Sequence, residues 1–78
     1  MGFWAVLYQA AKRSKVRTTD IGPKLGLSRG FVSACKTQNV EPKIYNAARL
    51  LSVCGFTLCA IPSEKVPDDA LVIDFERE

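Results

Sequence analysis

The stretch over residues 18–38, TTDIGPKLGLSRGFVSACKTQ, leaves the chain the fewest options. Thr18 and Thr19 carry hydroxyls able to cap a helix start, Gly26 tolerates a positive φ, and Ser28 can cap a second helix after a short turn. The order implied is helix, turn, helix. Ile21, Leu25, Leu27, Val32 and Cys35 are spaced so that both helices bury one side in a shared core, with Leu27 plugging the turn into it. The first helix is expected to start at Thr18 or Thr19 and to end near Leu25. Pro23 keeps it short or distorted near its start, because proline removes an intrahelical bond. Gly22, with no side chain, lets the two helices approach closely. The second helix is expected over residues 29–37, with Gly30 lowering its intrinsic stability by up to about 1 kcal/mol relative to alanine. Arg29, Gly30, Ser33 and Lys36 are left facing outward.

The rest of the chain reads as helices followed by a change of character. Phe3, Val6, Leu7, Ala10 and Ala11 recur at three and four along an expected helix over residues 3–14, and Trp4 and Tyr8 form a second, aromatic edge. That edge packs on later helices or the tail, or it meets another subunit. Lys12, Arg13, Lys15 and Arg17 then form a basic cluster suited to a helix end or to phosphate contact. A fourth helix is expected over roughly 42–54, with Pro42 at its first position, an apolar side of Ile44, Ala47, Ala48, Leu50, Leu51 and Cys54, and Gly55 at its C-terminal cap. Residues 56–61 and 70–75 are short β-prone runs joined by a proline-containing loop over residues 62–69. An isolated hairpin is marginal in water, so these runs are expected to pack on the helices or to pair with a second copy. The chain thus divides into a helical region, 1–55, and a C-terminal extension, 56–78. At 78 residues the core is small, burying roughly 60% of the unfolded surface.

Charge is divided along the same boundary. Residues 1–63 carry nine Lys or Arg against Asp20 and Glu41, giving +7, whereas residues 64–78 carry Lys65 and Arg77 against six acidic residues, giving −4. The body suits a polyanion and the tail does not; a tail folded over the basic face would shield it. The three cysteines, at 35, 54 and 59, lack metal-site spacing, and there is no histidine, which argues against zinc. Cys35 and Cys54 read as small core residues, and Cys59 lies beside a symmetry mate or faces solvent. Without histidine the usual neutral-pH base and every Ser/His or Cys/His nucleophile pair are gone, so the chain is not read as an enzyme and no cofactor is expected. No apolar run approaches the roughly 18–20 residues that span a bilayer, and the N-terminus places its apolar residues before its charges, the reverse of a secretory signal; the expectation is a cytoplasmic protein without membrane contact.

Residues 17–55 resemble the helix-turn-helix regulators of the Cro and lambda-repressor type, often called Xre-like. The residues that carry the resemblance are Ile21, the small Gly22, Leu25, Gly26, Leu27, Ser28, Arg29, Val32, Ser33, Pro42 and the helix-ending Gly55. Cys35 stands where an aliphatic is usual, Pro23 is a departure, and the two β-prone runs replace the usual fifth helix. The resemblance implies a mainly α fold, a four-helix lambda-repressor-like domain with a C-terminal β-strand pair or hairpin. It implies base contacts at Arg29, Gly30, Ser33 and Ala34, of which Arg29 could bond guanine in bidentate fashion. Phe31 either folds under the helix, the preferred reading, or touches a thymine methyl. Phosphate contacts fall on Thr18, Thr19 and Ser28, with Lys36, Thr37, Gln38 and Lys43 added. One such helix reads few base pairs, so a homodimer on a palindromic operator in double-stranded DNA is expected, joined through Phe56, Leu58, Ala60, Leu71 and Ile73. The implied role is a transcriptional regulator, a repressor of a phage, mobile element or toxin–antitoxin operon. The alternative is a protein-interaction module, with a partner such as a toxin, on the same fold without DNA readout.

Overall fold

A computed structural model of the chain describes residues 2–74. It contains four α-helices, α1 (Phe3–Ser14), α2 (Thr18–Lys24), α3 (Phe31–Gln38) and α4 (Ile44–Val53), followed by one 3₁₀ turn at Ser63–Lys65. Among the described residues there is no strand, and no helix is long and apolar enough to cross a membrane.

Of the expected α1 stripe, Val6, Leu7, Ala10 and Ala11 are buried and Phe3 is half-buried, while Trp4, from the expected aromatic edge, is buried with them. Their partners are Ile21 of α2, Val32 of α3, and Leu50, Leu51 and Cys54 at the end of α4. Leu7, Ile21, Val32 and Leu50 are the largest fully enclosed side chains, so each of the four helices contributes one to the centre. α2 packs on α3, and α4 packs on both α1 and α2.

All four helices end in the same way. Lys15, Gly26, Asn39 and Gly55 adopt left-handed φ values of 61°, 78°, 55° and 77°. In each case the next amide reaches back five residues: Val16 to the Ala11 carbonyl at 2.9 Å, Leu27 to Gly22 at 2.8 Å, Val40 to Cys35 at 3.0 Å and Phe56 to Leu51 at 3.1 Å. These are Schellman closures, which satisfy orphan carbonyls and reverse the chain. The glycines at 26 and 55 are placed as the sequence implied. Lys15 and Asn39 occupy the same conformation at a steric cost, larger for lysine.

Several expected boundaries move. No side chain caps the start of α2 or α3; Arg17 and Gly30 hold the cap positions, so Thr18 and Thr19 lie within α2. Ser28 does not cap α3 because its carbonyl closes a turn on the Phe31 amide at 3.2 Å, which delays the helix from position 29 to 31. Pro42 precedes α4 instead of opening it, with Lys43 as its extended cap residue. Leu27 is 38% exposed and Ile44 is 77% exposed, so neither is a core residue. Pro23 lies inside α2, which is short at seven residues, as a proline there demands.

The C-terminal β-strand pair does not form among the described residues. Phe56, Leu58, Leu71 and Ile73 are half-buried on the helical core while Thr57, Cys59, Val72 and Asp74 are exposed, so the period-two alternation is present without a ladder. The two runs line a cavity of about 430 Å³ floored by Val6 and Leu51. Their apolar side chains bury themselves against helices, and β-propensity reports such burial more than a demand for backbone pairing. Phe75, the last residue of the second run, lies outside the described residues.

Candidate nucleic-acid interface

The helix pair comes close because of one glycine. A Cβ on Gly22 would collide with the Ser28 backbone carbonyl and reach ordinary contact with the Phe31 Cβ, so α2 and the turn leading into α3 meet backbone to backbone. The Gly22 carbonyl also accepts from both the Leu25 and Leu27 amides, at 2.9 and 2.8 Å. The turn and the crossing of α2 and α3 are thereby fixed at one residue.

On α3, Val32 is buried and Phe31 and Cys35 are half-buried, so Phe31 folds under the helix. The opposite side carries Gly30, Ser33, Ala34 and Thr37, all exposed and spaced by three and four. This face is small and uncharged, and it allows close backbone approach. Arg29 is exposed in the turn before α3, so its side chain starts from the helix's leading end and not from its flank. Among the described residues the Val32 and Ser33 amides at that end find no backbone acceptor and no side-chain cap. They are donors of the kind an anion accepts from.

The remaining expected contact residues differ in exposure. Thr19, Ser28, Lys36, Thr37, Gln38 and Lys43 are exposed and Thr18 is half-buried. The Lys36 ammonium lies 5.5 Å from the centre of the Tyr8 ring, which holds it on the α1 side of α3. Arg17 reaches Asp20 at 3.4 Å, and Lys12, Arg13 and Lys15 are exposed around the end of α1. Of the expected dimer residues, Phe56, Leu58, Leu71 and Ile73 contact the chain's own core and Ala60 is exposed.

Three features had no explicit signal in the sequence. The Trp4 indole donates to the Val40 carbonyl at 2.7 Å, tying α1 to the exit of α3. Arg13 donates to the Asp69 carbonyl at 2.8 Å, tying the basic end of α1 to the C-terminal segment. Val40, Ile44 and Tyr45, before and at the start of α4, are each exposed, with Tyr45 70% exposed and the Arg49 guanidinium 5.5 Å from its ring centre. Tyr45 and Arg49 stand at the i, i+4 spacing of facing helical neighbours, the nearest thing to a signal. Cys54, deep in the core, has its thiol pushed above the usual range by burial, opposed in part by a hydrogen bond with Ser14. No family model, curated protein or solved structure matches the chain.

Proposed function

We propose that the chain is a sequence-specific DNA-binding regulator with a lambda-repressor-like helix-turn-helix, acting in the cytoplasm as a dimer on a palindromic operator. One observation carries the reading: the Gly22 crossing presents an α3 face of small exposed residues, with Arg29 at its leading end and Lys36 on its flank. Arg29 supplies base discrimination, Ser33 a weak contact, and the free amides of α3 with Lys36 and Lys43 supply phosphate contacts. Thr18 and Thr19 add contacts at the start of α2. The second copy pairs through residues 56–61, which form no ladder among the described residues. A repressor role follows from occupancy of an operator and needs no further domain.

Fluorescence anisotropy against a library of duplex fragments tests this. The expected result is a preferred sequence whose affinity falls linearly in log–log form with salt, with Arg29→Ala flattening the preference. Absent or salt-insensitive binding would end the reading.

A second reading, a protein-interaction module, draws on the exposed Val40, Ile44 and Tyr45 and on the chemical sparseness of Gly30, Ser33 and Ala34. Copurification of a stoichiometric protein partner, with no shift of any duplex, would favour it.

A further inference from the structure

We infer that Trp4 and Tyr8 of α1 are positioning residues for α3, holding its C-terminal half so that Lys36 and the outward face present one fixed geometry; the inference rests on the DNA-binding reading above. The two aromatics are one helical turn apart, and each holds a different part of the same target. The Trp4 indole N–H donates to the Val40 carbonyl at 2.7 Å, and Val40 in turn closes α3 by donating its amide to Cys35 at 3.0 Å. Asn39, between them, is in the left-handed conformation at φ 55° and donates to Lys36 at 3.1 Å. The indole therefore anchors the residue on which the whole helix exit closes. Trp4 is itself fixed, being 8% exposed and met edge-on by Phe3 at 5.0 Å and 78°. Tyr8 supplies the second point of hold, its ring facing the Lys36 ammonium at 5.5 Å.

The need for such a hold follows from the length of α3. At eight residues, capped by no side chain at its start, it is too short to persist alone in water. Gly22 and Ser28 secure its leading end by backbone contact. Toward the trailing end Cys35 lies half-buried on the core, and among the described residues the two α1 aromatics are what engage Lys36 and Val40 from another helix. A cation held over an aromatic ring keeps its charge and loses rotamer freedom, so Lys36 meets phosphate with part of its ordering cost already met.

The test uses the full chain in two measurements. By amide hydrogen exchange, Trp4→Phe keeps the ring and removes the donor, and the Asn39 and Val40 amides are expected to exchange roughly 5–10-fold faster while those of Leu50 and Leu51 are unchanged. By anisotropy on the preferred duplex, Tyr8→Leu is expected to weaken binding about 3-fold in the parent and not at all in a Lys36→Ala background. Lys36→Ala should lower the salt slope by about one, whereas Tyr8→Leu should leave it unchanged, since the charge remains. Unchanged exchange at 39 and 40, or a Tyr8→Leu loss that persists in full without Lys36, would overturn the hold. A parent chain that binds no duplex would overturn the DNA-binding reading and with it the positioning role, even with exchange accelerated as expected.

Discussion

The α2–α3 unit and the C-terminal segment over residues 56–74 both lay apolar side chains on the shared core but are held in opposite ways. The helix pair is fixed by backbone: Gly22 meets Ser28, two amides close on the Gly22 carbonyl, and no room is left for a methyl group. The C-terminal segment is fixed by side chains laid on the helices, over a cavity of about 430 Å³, with Arg13 gripping the Asp69 carbonyl. Backbone contact sets a position to within a fraction of an ångström; side-chain anchoring leaves slack. A surface that must match a partner belongs on the first, and a segment that must adapt belongs on the second.

The sharpest break in this contrast is Gly22→Ala. The added methyl meets a carbonyl that cannot step aside, so a loss of about 3 kcal/mol by chemical denaturation is expected, with α2 and α3 pushed apart. Leu71→Ala, in the slack region, should cost about 1–2 kcal/mol, below the range for a fully buried leucine, because the side chain is half-buried beside existing empty space. An equal or larger loss at position 71 would erase the distinction.

Lys15→Gly sharpens the comparison from the other direction. The residue holds φ 61° in the α1 closure, and glycine adopts that conformation without strain, so a gain of about 1 kcal/mol is expected in thermal or chemical melts. The smallest effect is a pH dependence. The Cys54 thiol is raised in the folded state, so on alkalinisation the unfolded chain gives up its proton first; stability is complete below the ordinary thiol value of 9.0 and falls as the pH rises past it. Between about pH 8 and about pH 10, Cys54→Ala should lose less stability than the parent.

How much was legible in the sequence follows the range of the interactions involved. Gly26 and Gly55 announced their left-handed turns because the residue type itself permits them. Lys15 and Asn39 did not, because their conformation is imposed by hydrogen bonds from the following residues. The apolar faces of α1 and α4 were legible from spacing except at Ile44, in the first turn of α4 and off the shared core, and at Trp4, which joins the α1 face in place of a fully buried Phe3. The start of α3 was misplaced by two residues because Ser28 closes a turn with its carbonyl where its hydroxyl was expected to cap. In the C-terminal runs the alternation was legible and the pairing was not, since pairing depends on where distant segments lie. Trp4 was visible as an aromatic edge, but its acceptor lies 36 residues away and no local pattern points to it. For the candidate interface, the exposed residues of α3 were legible one by one. Their arrangement around the Gly22 crossing came only with the fold.

Ala34→Glu measured by anisotropy against the preferred duplex tests the outward role of α3 most directly. Ala34 is exposed in the first half of α3, where a glutamate suits the helix and its dipole, so stability should stay within about 0.5 kcal/mol of the parent. A carboxylate on that face, set against phosphates, should weaken duplex binding roughly 100-fold. A stably folded Ala34→Glu chain that binds duplex DNA as tightly as the parent would contradict the account.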